Sequence, residues 1–260
     1  MPSVLAGVCA ASFLSGCDVT IKDGDIKNVS LDHKVSQEWS RHYPLAEGGR
    51  VEIVNGNGPI EVTAGPAGTV DIIAVLEGRA MTEARAKELL GEFKVEESAT
   101  PDHVRVATVR RNTGGRLDVS FKVIMPADAR LEMTGNNNRL KASGLRGHVK
   151  AMVVNGPVEL TDMHGTIDAA GVNASVSARM AEVTGPLRLE STNGRIALEI
   201  PRTAKANLNA RSVNGNITVT GLTIQEGTGR RIRTIESQLN GGGPEIDLRV
   251  TNGRISIDGK

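Results

Sequence analysis

An all-β chain is predicted: a β-solenoid, parallel β-helix-like, wound in coils of about 18–21 residues with one short helix in its N-terminal half. Three observations predict it. An Asn, usually followed by Gly, recurs at Asn137, Asn155, Asn173, Asn193, Asn214 and Asn252, each eight residues after a marker at Ala129, Gly147, Gly165, Gly185, Ala206 or Pro244. Apolar residues alternate with polar ones on both sides of that Asn. Thirty Gly, with only one Trp, one Tyr and three Phe in 260 residues, suit tight coils filled by aliphatic side chains.

The alternation is regular. Two residues after each marker stand Leu131, Val149, Ile167, Leu187, Leu208 and Ile246, and four after it Met133, Ala151, Ala169, Leu189, Ala210 and Leu248. Glu132, Lys150, Asp168, Arg188, Asn209 and Asp247 lie between them. Period two with one apolar face is a half-buried strand. Beyond the Asn, Leu140, Val158, Val176, Ile196, Ile217 and Ile255 open a second strand of the same kind. Each unit therefore reads strand, corner, strand, turn. Gly194, Gly215 and Gly253 are expected to supply a positive φ at the corner, with Asn138 and Ala174 replacing Gly in two units.

Asn-Gly between alternating strands is also a hairpin signal, so a meander or sandwich competes with the solenoid. The successive Asn intervals of 18, 18, 20 and 21 residues favour coils, because hairpins have no reason to hold one length. In a solenoid the six Asn side chains would stack as a structural ladder.

The remaining elements follow in order. Residues 1–17 read as a signal peptide: Val4–Leu14 is apolar but too short to span a bilayer. Residues 18–46 are polar and read as a tether, with Trp39 and Tyr43 near its end to plug the open end of the stack or touch a partner. Residues 47–260 form the solenoid domain. It opens with a repeat-like unit from Val51 to Val62 and includes a helix near 82–90. Strands around Phe93–Val123 are expected as a hairpin-rich lead-in, and Leu222–Gly243 as an interruption before the last coil.

Leu14, Ser15, Gly16 and Cys17 resemble the lipobox of bacterial lipoproteins, although no Lys or Arg precedes the apolar run. The resemblance implies cleavage before Cys17, acylation of that residue and a membrane attachment. Cys9 would be discarded, and no disulfide remains.

The unit from Val51 to Val62, the helix and strands leading to Met125 and Pro126, and the corners Val154-Asn155-Gly156, Thr192-Asn193-Gly194, Val213-Asn214-Gly215 and Thr251-Asn252-Gly253 together resemble a bacterial envelope family labelled "putative adhesin". The resemblance covers about residues 40 to 260 and implies a β-solenoid-like fold, export and frequent membrane attachment. Its label describes a fold likeness more than a chemistry.

Catalytic signatures are missing from the sequence. There is no Gly-x-Ser-x-Gly elbow, phosphate loop or His-Glu-x-x-His pair, and no cofactor is expected. His148 and His164 flank neighbouring corners, yet two His make a poor zinc site, and Asp23 and Asp25 lack the later ligands of a calcium loop. A formal charge of +1 argues against nucleic acid as a partner. Arg230, Arg231 and Arg233 with Arg110, Arg111 and Arg116 would form a basic strip if their strands paired. The function expected is that of a non-catalytic, lipid-anchored protein of the cell envelope, presenting its surface to an envelope protein or polysaccharide for adhesion or support. An accessory regulator or sensor of envelope stress is the alternative, and a polysaccharide-active enzyme the weaker one.

Overall fold

The computed structural model describes residues 33–110, 116–224 and 232–260. The signal peptide, Cys17, Asp23, Asp25, Arg111, Arg230 and Arg231 lie outside the described residues. In chain order the strands are β1 (His33–Pro44), β2 (Arg50–Asn57), β3 (Ile60–Gly65) and β4 (Thr69–Ala80), followed by the helix α1 (Glu83–Gly91). Next come β5 (Phe93–Thr100), β6 (His103–Arg110), β7 (Arg116–Pro126), β8 (Arg130–Asn137) and β9 (Leu140–Ser143). The regular coils contain β10 (Val149–Asn155), β11 (Val158–Met163), β12 (Ile167–Asn173), β13 (Val176–Met180) and β14 (Leu187–Ile200). The chain closes with β15 (Ala206–Asn214), β16 (Ile217–Thr220), β17 (Thr234–Leu239) and β18 (Glu245–Gly259).

The fold is all-β and β-solenoid-like, with a single α-helix among the described residues. Equivalent positions of the repeat pair in parallel: Val149 beside Leu131 and Ile167, Ile167 beside Leu187, and Leu187 beside Ile246. Each coil is flattened to two strands, one before the Asn and one after it. Their inward residues, such as Leu131, Met133, Leu140, Val149, Val158 and Leu160, are buried between the two strand layers. Burying each such side chain stabilises by about 1.5–3 kcal/mol before chain entropy is counted. Since one coil has no other coil's lining to bury against when alone, stability comes from stacking.

The pairing is mixed, which departs from a purely parallel helix. At one end β4 runs antiparallel to β7, β1 antiparallel to β4, and β5 antiparallel to β6. At the other end β17 runs antiparallel to β15.

Stacking does not follow chain order at either end. The first unit, β2–β3, lies between the coil of β6 and β7 and the coil of β8 and β9. The strands expected as a hairpin lead-in are thus half coil: β6 and β7 pair in parallel with β2 and β3, and the one hairpin among them is β5 with β6. The last coil, β18, inserts between β14 and β15.

Residues 33–44 are also not tether. They form β1, whose twelve residues pair with β4 from His33 opposite Ala80 to Pro44 opposite Thr69. Its half-buried Val35, Trp39 and Tyr43 pack against the end of the core. The Tyr43 hydroxyl donates to Glu97 at 2.5 Å, and Arg41 meets the same carboxylate at 3.1 Å, so β1 and β5 are clasped across the end of the stack. Burial, and then the hydrogen bond to Glu97, push the Tyr43 hydroxyl well above the usual phenol range. The guanidinium of Arg41 also lies 4.8 Å over the Trp39 ring.

The helix starts where its sequence signals place it, one turn beside the same end. Thr82 is the N-cap, accepting from the Arg85 amide at 3.2 Å. Ala86, Leu89 and Leu90 are buried, and Gly78 on β4 lets the Ala86 carbonyl approach to 2.7 Å of where a Cβ would stand.

Candidate functional site

The most regular surface of the molecule is the corner where each coil turns. Asn side chains there form one continuous ladder. Asn137 donates to Asn57 at 2.9 Å, Asn155 to Asn137 at 2.9 Å, Asn173 to Asn155 at 2.8 Å and Asn193 to Asn173 at 3.0 Å. Asn252 then donates to Asn193 at 2.7 Å, and Asn214 to Asn252 at 2.9 Å. All six expected Asn are brought together, joined by Asn57 and in an order that follows the stack. Asn57 escapes sequence reasoning because Asn55-Gly56-Asn57-Gly58 offers two candidates for one corner. The other, Asn55, points inward and is buried, donating to the Gly58 and Val119 carbonyls at 3.0 and 2.8 Å.

Beneath the ladder the corner is held by a trade in side-chain size. The inward residue two before the ladder Asn faces the residue just after it. Where the latter has a side chain, as in Asn138 and Ala174, the former is Gly135 or Gly171, and an added Cβ would overlap that side chain. Where the latter is Gly, as in Gly58, Gly156, Gly194, Gly215 and Gly253, the former is Asn55, Val153, Ser191, Ser212 or Val250. Ser191 donates to the Ala174 carbonyl at 2.8 Å and Ser212 to the Gly253 carbonyl at 3.1 Å, which ties each corner to its neighbour. This corrects the expected reason for Gly at two corners. Gly253 has φ of 152°, but Gly194 and Gly215 lie outside the positive-φ set and are required because a Cβ would overlap the carbonyls of Ala174 and Gly253.

Outside the ladder runs a shallow groove of about 550 Å³ along the stacking direction. One wall includes Met152, Ala170, Glu190, Arg249 and Arg211; the other is the row Val154, Val172, Thr192, Thr251 and Val213, each just before a ladder Asn. Met152, Val154, Val172 and Val213 are 41–48% exposed, so this is an apolar stripe open to solvent. Sequence reasoning missed it because outward-facing Val alternates correctly and reads as an ordinary strand residue.

Basic groups collect where the stripe ends. Arg195 and Arg254 are register partners just past the corner, and Arg211 and Arg249 are register partners just before it. Arg233 joins them, since its carbonyl accepts the Ser212 amide at 2.8 Å. Arg249 is paired with Asp247 and lies 4.0 Å from Glu190. Arg195, Arg211, Arg233 and Arg254 have no carboxylate partner among the described residues. Of the expected basic strip, the described members do not meet: Arg110 and Arg116 sit on β6 and β7 at one end of the stack and Arg233 at the other, and Arg116 pairs with Asp118 at 3.0 Å.

The histidines stand apart from this surface. His148 bonds Thr166 at 2.7 Å, and His164 lies 4.0 Å from Asp162. Among the described residues, no three His, Cys, Asp or Glu side chains gather as metal ligands. No helix of the described residues is long and apolar enough to cross a membrane.

With this geometry in view, the chain can be placed among known proteins. A sequence model of the family described as Toastrack DUF4097 matches residues 13–258. The fold is shared with the crystal structure of a "putative cell adhesion protein" from Clostridium sporogenes: 86% of this chain and 100% of that one superpose with a TM-score of 0.55 at 8% identity. A "putative adhesin" from Parabacteroides distasonis aligns over 85% of this chain and 97% of its own at 12% identity, with a TM-score of 0.26. No curated protein matches the chain in sequence.

Proposed function

The chain belongs to the Toastrack DUF4097 family, and on that premise we propose that it is a non-catalytic lipoprotein of the cell envelope, a parallel β-helix-like scaffold that presents its outer face for binding or support. The observation that carries this reading is the ladder corner, which runs in register from β8 to β15 with an open, apolar-lined groove beside it. Catalysis needs groups converging on one reacting atom; here the polar groups repeat along an axis. The adhesion label of the Clostridium structure agrees with a surface role.

Acylation at Cys17 would hold the domain on a membrane through a leader segment of fifteen residues before His33. Mass spectrometry of the mature protein from its native host tests this. An N-terminal acylated Cys17 is expected, and a mature chain that keeps residues 1–16 or a free Cys17 thiol overturns it. Crosslinking in intact cells followed by pull-down tests the binding role; capture of an envelope component through residues of the ladder corner is expected, and crosslinks confined to the opposite strand layer would overturn it.

A further inference from the structure

We propose that the ladder corner is a membrane-contact edge selective for bilayers with anionic headgroups. The proposal rests on the envelope reading above and names the surface that the envelope offers to this site. Three observations converge on one corner. Arg195 and Arg254 stand directly side by side on β14 and β18, where like charges repel unless an anion lies between them. Arg211 lies three residues before Asn214 and the Arg233 backbone bonds that of Ser212, so two more arginines stand near this corner, and none of these four meets a carboxylate among the described residues. On the same corner, Val154, Val172 and Val213 hold apolar surface in water.

Charge and apolarity together select the occupant. A hydrated polyanion would neutralise the arginines and leave the valines wet. A purely apolar protein face would bury the valines and strand four guanidinium groups. The bilayer interface satisfies both, with Val side chains at the headgroup boundary and Arg on phosphate oxygens. The remaining amide hydrogens of the Asn ladder donate to the same oxygens.

The number of residues between the anchor and β1 permits this pose. β1 lies at the end of the stack opposite the arginines, and fifteen residues separate Cys17 from His33. Extended, they reach about 50 Å, while nine to ten stacked strands at ~4.8 Å span about 40–45 Å. A chain anchored at one end can therefore lie down along the bilayer on its corner.

The test uses the full chain with Cys17→Ser, so that no acyl chain contributes, and sedimentation with phosphatidylcholine vesicles with or without about one third phosphatidylglycerol. Binding only to the anionic vesicles is expected. Arg195→Gln with Arg254→Gln should weaken it about 25-fold, since each basic group near such a surface is worth roughly a factor of five. Val154→Ser with Val172→Ser should weaken it with all charges intact. These side chains are exposed, so the variants keep the fold, which thermal melting verifies. Arg130→Gln with Arg146→Gln, which removes two exposed arginines elsewhere, should change binding by no more than about twofold. Equal loss in that control, or equal binding to neutral vesicles, overturns the proposal. So does tight binding of soluble polyphosphate with no response to the Val variants, which would assign the site to a free polyanion. A chain acylated in cells that ignores anionic vesicles refutes this edge alone; a selective chain that is never acylated refutes only the anchor.

Discussion

Asn252 donates its side-chain amide to Asn193 at 2.7 Å across 59 residues of chain, and Asn214, which lies between them in sequence, reaches the ladder only through Asn252. The final strand is therefore the joint on which the preceding coil depends. Asn252→Ala removes two ladder bonds, whereas Asn214→Ala and Asn57→Ala each remove one. With about 0.5–1.5 kcal/mol per bond, Asn252→Ala should cost about 1–3 kcal/mol and each terminal substitution about half as much. Urea unfolding monitored by circular dichroism checks the ranking. Equal losses at all three positions would mean that the ladder does not act bond by bond.

Removing residues 244–260 should do more than shorten the molecule. β15 and β16 would lose their parallel partner, and β14 would be exposed along its whole length. The truncated chain should lose cooperative unfolding and aggregate through the bare β14 edge. Size-exclusion chromatography and a melt compared with the full chain give the answer; a monomer with one sharp transition would contradict the keystone role of β18.

The size trade at the corners predicts a rescue. Gly171→Ser should destabilise by about 1–3 kcal/mol, because its Cβ would overlap that of Ala174. Adding Ala174→Gly should recover most of this loss, since the pair then copies Ser191 and Gly194. A double-mutant cycle measures the coupling. Gly56→Ala, with nothing near its Cβ, serves as the neutral reference.

The clasp of Tyr43 and Glu97 predicts a pH dependence at the alkaline side. Burial first, and then the hydrogen bond to Glu97, hold the Tyr43 proton more tightly in the folded chain than in the unfolded one, where a phenol titrates near about 10. The unfolded state thus releases its proton first as pH rises. The stabilisation is fully present below about pH 10 and declines above it. Melting temperatures between about pH 9 and pH 11 should fall more steeply for the native chain than for Tyr43→Phe, which should also be less stable at neutral pH by about 1 kcal/mol. Parallel slopes would rule out Tyr43 as the titrating group.

Much of the architecture is written in period-two alternation, and the residues that carry it are explicit. Leu131, Val149, Ile167 and Leu187 announce equivalent strands, and Thr82 with the run to Gly91 announces the helix. The order of stacking is not written there. Every coil carries the same apolar lining and the same Asn, so the coil of Asn252 fits beside that of Asn193 as well as that of Asn214 does. β1 is hard to see in a segment so polar: its inner apolar residues Val35, Trp39 and Tyr43 come only every fourth residue, with Gln37 and Arg41 between them. At a half-open end a strand need bury only part of its inner face, so the alternation is diluted. The arginine cluster is illegible for a related reason: Arg195, Arg211, Arg233 and Arg254 meet only after the last coil has been inserted out of turn.

That insertion governs how the molecule can be made. A chain emerging residue by residue from a ribosome or an export channel can lay down β8 through β14 as it appears, but the site between β14 and β15 stays empty until the 15 residues of β18 arrive. Until then the growing protein holds two unsatisfied strand edges and a slot of fixed register, open to any other segment of matching pattern. Closure is thus a check performed by β18: only a chain that has delivered this strand closes the seam, and one that lacks it advertises itself to proteases and chaperones.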